Sequence, residues 1–269
     1  MSEIKKRRAD KHHFKILKRA YLFLIIIILL LGVLLVFHQQ IIDRIIVPIK
    51  FENNLSEVDK LTQEDYRHNN KRFNKVDISN NKDYEFNNNR AQNVSQIEGM
   101  PVTYDFSSVK PINLLDVKDM TFNKKYVTGQ ICIPSVGLRL PILEGLSNNN
   151  LWNGASTMKS NQIMGEKNYC LAGHTMPNKS SLFSPIHQIV LNSNIYITDG
   201  GVIYVYKVYS KKVINPTKSE ILNDTNEPII TLVTCNDVKG HKRLIIQGKL
   251  IKKINRYDAN NDLLALFNF

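Results

Sequence analysis

Three residues of this 269-residue chain have types and settings suited to nucleophilic chemistry: Cys235, His174 and Arg243. Cys235 ends the β-branched run Ile229-Ile230-Thr231-Leu232-Val233-Thr234 and opens a loop over 236–242. A thiol at a strand end is partly exposed while its backbone is held, which a nucleophile requires. An ordinary thiol has a pKa of about 8.5, so a nearby cation is needed to make thiolate at neutral pH. Arg243 begins the next run, where an antiparallel neighbour could set its guanidinium beside the sulfur and neutralise an oxyanion. His174 closes Asn168-Tyr169-Cys170-Leu171-Ala172-Gly173-His174 and is the natural general acid/base if the two strand ends meet. Taken singly, each has a duller explanation: a core thiol, a structural imidazole, a solvated guanidinium. Their shared placement at strand ends makes the pattern chemical.

Such residues need a rigid scaffold, and the sequence after Pro101 supplies one. Eight short apolar runs read as strands: 102–106, 127–133, 138–143, 168–172, 194–198, 202–209, 229–234 and 243–251. Pro-Ser-Val-Gly at 134–137 and Asp-Gly-Gly at 199–201 are typical of the turns between them. Helical pieces are short, at 113–120, 148–153 and 181–189. Eight strands in so short a stretch predict an all-β domain, a closed barrel or a sandwich, because closure removes exposed edges. The apolar tail over 254–269 is too short to cross a bilayer and either packs on the barrel or stays loose.

The N-terminal third is different. Residues 20–37 are 18 uncharged, apolar residues, about 27 Å as a helix, enough for a hydrocarbon core. No small-x-small cleavage pattern follows, so the segment reads as an uncleaved signal anchor. Eight Lys/Arg against two acids precede it in residues 1–19, which keeps that tail cytoplasmic and everything after Phe37 outside. Half of the formal net charge of +12 sits in that tail, so a globally basic nucleic-acid binder is not indicated. Ile41, Ile42, Ile45 and Ile46 continue the helical spacing until Pro48 stops it. Eleven asparagines in 53–93 predict a mostly disordered spacer. The expected organisation is a cytoplasmic tail (1–19), membrane anchor (20–37), extracellular spacer (38–100), catalytic barrel (101–253) and C-terminal tail (254–269).

Three motifs in order resemble the sortase family. Leu171-Ala172-Gly173-His174 with Leu182-Phe183 is similar to its histidine motif, and Thr231-Leu232-Val233-Thr234-Cys235 with Arg243 to its TLxTC…R signature. Gly129-Gln130-Ile131-Cys132-Ile133-Pro134, then Leu140-Pro141-Ile142 and Gly145, resembles its first strands. Class A, the housekeeping transpeptidase of Gram-positive bacteria, fits best, since class C enzymes usually carry a second span and an Asp-Pro lid; class D is the alternative.

The resemblance implies a closed eight-stranded β-barrel with a few short helices. It implies that Cys235 attacks the Thr–Gly carbonyl of an LPxTG sorting signal and that His174 shuttles the protons. Arg243 then positions substrate and oxyanion, helped by the backbone N–H of Thr234. Ala172 and Val233 on the groove floor, with Val213, Ile214, Ile221 and Leu222 under the following loop, would hold the Leu-Pro end. The implied partners are LPxTG-bearing surface proteins, the membrane, and an amine of lipid II; a tethered cysteine protease is the other enzymatic reading. Cys132 and Cys170 are expected in the core, and His187 and His241 on loops. Some class A enzymes use calcium, and Glu144, Glu166, Glu220 and Asp224 are the acidic candidates. Nothing in their spacing makes a site, so no metal and no cofactor are expected.

Overall fold

The structure is a computed structural model that describes residues 2–74, 95–97, 100–104, 109, 120–177, 179–236 and 241–269. The chain divides into two units, residues 1–46 and 47–269. The first is the helix α1 (Ser2–Ile41) followed by a π-type turn at Ile42–Ile46. Within it Leu17–His38 is 22 residues long with a mean hydropathy of 3.3, long and apolar enough to cross a membrane, and fits a single-pass anchor.

In the second unit Pro48 does not stop a helix as its chemistry suggests. It is the second residue of α2 (Val47–Asp59), directly after the π-type turn. The helix α3 (Gln63–Asn74) follows, so residues 53–74 are not the open spacer that their composition predicts. Two features outweigh the polarity. Val58, Tyr66 and Phe73 are buried in one cluster with Val102, Tyr126, Val127 and Leu143. The asparagine amides, in turn, fasten the helices to main chain and side chain. Asn69 donates to the carbonyls of Lys124 (3.0 Å) and Val127 (2.8 Å), Asn70 to that of Thr128 (3.0 Å), and Asn54 to Asn153 Oδ1 (2.8 Å).

Two short strands, β1 (Ser95–Ile97) and β2 (Met100–Val102), pair with each other. The remaining strands are β3 (Val127–Ile133), β4 (Leu138–Leu143), β5 (Ala155–Thr157), β6 (Asn168–Ala172), β7 (Asn194–Thr198), β8 (Val202–Ile214), β9 (Ile229–Cys235) and β10 (Arg243–Asn255). They close an eight-stranded barrel in the order β10-β8-β7-β3-β4-β5-β6-β9. The eight-stranded barrel is the expected one, but its membership differs. The run at 102–106 contributes only Val102, in the separate hairpin, and residues 105–106 lie outside the described residues. Its place is taken by β5, whose three residues are too few to show any period. The strands β8 and β10 run to 13 residues each, past their apolar parts.

The expected helix at 148–153 is α4 (Asn148–Asn153), capped by Ser147. The one at 181–189 is a 3-10 turn, Ser184–Gln188. The one at 113–120 lies outside the described residues except for Met120. The tail packs on the barrel. A 3-10 turn at Arg256–Asp258 leads to α5 (Asn261–Ala265), and Phe267 is buried against Cys132, Ile203 and Val205. Arg139 of β4 pairs with Asp59 of α2 and donates to the Phe267 carbonyl, 3.0 Å, joining both ends of the unit.

Candidate active site

The strands β6 and β9 are parallel, with Ala172 opposite Val233. Beyond that pair, the Gly173 N–H donates to the Val233 carbonyl at 3.1 Å, and Thr234 Oγ1 donates to the Gly173 carbonyl at 2.6 Å. His174 and Cys235 each stand two residues past the Ala172/Val233 pair, so neighbouring strands deliver them to the same end of the barrel. The strand β10 runs antiparallel on the other side of β9, with Arg243 directly opposite Cys235; Arg243 is also paired with Ile214 of β8. Adjacent strands lie about 4.8 Å apart, so the three nominated residues stand at neighbouring backbone positions along one rim. Thr234, next to Cys235 on β9, is buried.

His174 is only 5% exposed. The edge of Trp152 from α4 packs against it, centroids 5.8 Å apart, and its Nε2 is buried with no hydrogen-bond partner. Burial pushes its pKa down to about 4, so the imidazole is neutral at neutral pH. Phe183 lies beneath, its N–H donating to the His174 carbonyl at 3.0 Å. A Cβ on Gly173 would come within 2.4 Å of the Phe183 ring, which explains the glycine before the histidine.

Of the six residues expected to line the substrate groove, five share one apolar cluster. Ala172, Val233, Cys170, Leu146, Leu151, Met158 and Ile245 form its buried part, and Ile214, Ile221 and Leu222 pack against it. Val213 does not join them. It neighbours Ile214 on β8, points to the other face and is 47% exposed; alternate residues of a strand face opposite ways. Loop 215–228 is stapled over the cluster. Lys159 Nζ donates to the Leu222 carbonyl (3.1 Å) and pairs with Asp224 (2.7 Å), which also pairs with Lys167 (3.1 Å). The Asn168 amide donates to the carbonyls of Ile221 (3.0 Å) and Asn223 (2.9 Å).

Cys170 and Cys132 are buried, and desolvation raises their thiols to about 12 and about 11. Neither is a thiolate at neutral pH, and no disulfide joins the three cysteines. Of the acidic candidates for calcium, Asp224 is occupied by two lysines. Glu144 is buried and hydrogen-bonded to Tyr104 at 2.6 Å, with burial raising it to about 7. Among the described residues no group of three or more His, Cys, Asp or Glu is placed to hold a metal.

His187 corrects the sequence view of a loop residue. It is half-buried, and its Nε2 lies 3.2 Å from the Cys235 carbonyl. Thr175, Trp152 and Lys159 likewise touch or frame the site without a sequence signal, because each acts through a fold-dependent contact.

Residues 131–251 match the family described as Sortase domain. The chain is 40% identical over 148 residues to sortase A of Bacillus anthracis, covering 55% of this chain and 70% of that protein. It is 31% identical over 230 residues to sortase A of Listeria monocytogenes, covering 84% and 90%. The solved Listeria monocytogenes sortase A superposes with a TM-score of 0.51 at 36% identity, covering 54% of this chain and 99% of that one. With a closed eight-stranded barrel that carries a Cys, a His and an Arg on one rim, the chain belongs to the sortase family of cysteine transpeptidases, in its class A.

Proposed function

We propose that this transpeptidase cleaves an LPxTG-type sorting signal between Thr and Gly and transfers the new acyl end to an amine of lipid II. The observation that carries the reading is the register that aligns His174, Cys235 and Arg243 on three neighbouring strands. The five apolar residues clustered beside them, Ala172, Ile214, Ile221, Leu222 and Val233, suit the Leu-Pro end of the signal.

In the first step His174, neutral at rest, takes the Cys235 proton as the sulfur attacks the Thr carbonyl carbon. The tetrahedral oxyanion is held by the Arg243 guanidinium and the Thr234 N–H. Collapse forms the thioester, breaks the C–N bond and returns the proton from His174 to the glycine amine. In the second step His174 removes a proton from the incoming amine, which displaces the thiol and regenerates Cys235.

Orientation follows the same reading. The eight cations before the apolar helix favour a cytoplasmic N-terminus and a barrel outside the cell. Surface proteins bearing the signal and membrane-embedded lipid II are then the partners, and a tether raises their local concentration.

The test uses the full chain in nanodiscs with a quenched-fluorescent LPxTG peptide, with and without a nucleophilic amine. Amine-linked product that disappears in Cys235→Ala supports transpeptidation. Cleavage with no amine capture favours a hydrolase, and full turnover by Cys235→Ala removes the proposed nucleophile.

A further inference from the structure

The Cys235 carbonyl is gripped by two side chains from the His174 side of the site. Thr175 Oγ1 donates to it at 2.6 Å, and His187 Nε2 stands 3.2 Å from the same oxygen. Thr175 Oγ1 also lies 2.9 Å from Thr234 Oγ1 and 3.4 Å from His187 Nε2. Thr234 Oγ1 in turn donates to the Gly173 carbonyl at 2.6 Å.

The acceptor fixes the role of His187. A carbonyl oxygen only accepts, so the His187 Nε2 contact with the Cys235 carbonyl is a hydrogen bond that carries its proton on Nε2. Thr175 Oγ1 donates to the same oxygen, whose two lone pairs serve both donors, and the hydroxyls of Thr175 and Thr234 lie within hydrogen-bond reach of each other. Burial, with Lys211 and Lys179 adding to it, holds His187 below the ordinary imidazole value against the opposing effect of the Cys235 carbonyl. At neutral pH its single proton is the one on Nε2.

The turn that carries His187 is itself fixed. Lys211 Nζ donates to the carbonyls of His187 (2.8 Å) and Ile189 (3.0 Å). On the far side of Cys235, the Asn236 N–H donates to the Lys242 carbonyl at 2.9 Å. The peptide after the nucleophile is thus held from two directions.

We propose that His187 is a positioning residue for the nucleophile: its Nε2–H, with Thr175, clamps the Cys235 carbonyl and keeps the sulfur aligned with His174 and Arg243. This rests on the reading of Cys235 as nucleophile. His187 touches no reacting atom, so it acts on the chemical step and not on substrate binding.

The test compares His187→Leu, which removes the donor, with His187→Gln, which keeps an amide N–H. The full chain in nanodiscs is assayed for peptide turnover and, separately, for iodoacetamide alkylation mapped to Cys235 by mass spectrometry. His187→Leu should lower both kcat and the alkylation rate about tenfold, the effect of one lost hydrogen bond, with KM unchanged. His187→Gln should recover most of that loss. Wild-type alkylation and kcat in His187→Leu overturn the clamp. So does a loss that glutamine fails to rescue and that comes with a lowered melting temperature, since packing alone explains it. Full turnover by Cys235→Ala removes the underlying reading instead, whatever the His187 variants do.

Discussion

His174 meets the edge of Trp152 at 5.8 Å between ring centroids, with the planes 64° apart. This contact, with the burial around it, keeps the imidazole out of water and neutral. Replacing Trp152 with Ala admits water and raises the His174 pKa from about 4 toward its ordinary value. Histidine NMR titration of the two proteins reads this directly, and an unmoved His174 titration would show that Trp152 does not set its environment. The acidic limb of the activity profile should move to higher pH by a similar amount.

Two buried groups pull stability in opposite directions with pH. His174 is depressed in the fold, so between about 4 and 6.5 the unfolded chain binds more protons, and stability falls as pH falls through that window. Glu144 is raised from 4.5 to about 7, so there the folded chain binds more protons, and stability falls as pH rises. The two slopes largely offset each other. Glu144→Gln removes one of them, so its melting temperature should drop more steeply than wild type on acidification from neutral pH. A parallel drop in both proteins would contradict the assignment.

Arg243 stands opposite Cys235 in the β9/β10 register. Arg243→Ala should lower kcat/KM about 100-fold or more, the usual scale for losing an oxyanion donor, while the melting temperature stays near wild type. Arg243→Lys should recover only part, because an ammonium lacks the planar fork. Turnover in Arg243→Ala equal to wild type would end the catalytic role assigned to it.

The groove loop offers a graded pair. Asp224 is held below its usual value first by the Lys159 hydrogen bond, yet it is half exposed. Lys159→Met should therefore cost under about 1 kcal/mol of stability and raise KM only a few-fold. Asn168 is buried, donates to Ile221 and Asn223, and accepts from Thr231 Oγ1 at 2.7 Å. Asn168→Ala leaves those groups unpaired and should cost about 2 kcal/mol or more, with a larger rise in KM. Equal KM values for the two variants would mean that the loop does not shape the groove.

These contrasts also show what a sequence can and cannot carry. The apolar runs of β3, β4, β6, β7 and β9 and the strand-end placement of His174, Cys235 and Arg243 are visible, because local patterning encodes them. The membership of β5 is not, since three residues have no period. Val213 and Ile214 are equally apolar neighbours, and only the pleat decides which one faces the groove. His187 and Thr175 reach the Cys235 carbonyl from 48 and 60 residues away, a contact that no local signal announces. Residues 53–74 mislead for a related reason: their polarity resembles a linker, while the amides of Asn69 and Asn70 are matched to the carbonyls of Lys124, Val127 and Thr128, and that of Asn54 to Asn153.

That match makes α3 a structural part of the barrel unit. The Tyr66 ring is fully buried and lies over the Asp199-Gly200-Gly201 turn, where Gly200 has φ +84° and a Cβ would come within 2.6 Å of the ring. Its hydroxyl accepts from Gln130 Nε2 at 2.9 Å inside the cluster, and burial raises its pKa to about 12. Tyr66→Phe leaves buried Gln130 short of an acceptor and should cost about 1–2 kcal/mol. Tyr66→Ala also empties the ring's space and should cost about 3–5 kcal/mol. Asn69→Ala, which frees the Lys124 and Val127 carbonyls, should fall between the two. Denaturant unfolding of the full chain in micelles ranks the three, and a loosely attached helix would leave all of them at the wild-type midpoint. Because none of these side chains touches the catalytic rim, kcat in the folded variants should stay at the wild-type value while stability falls.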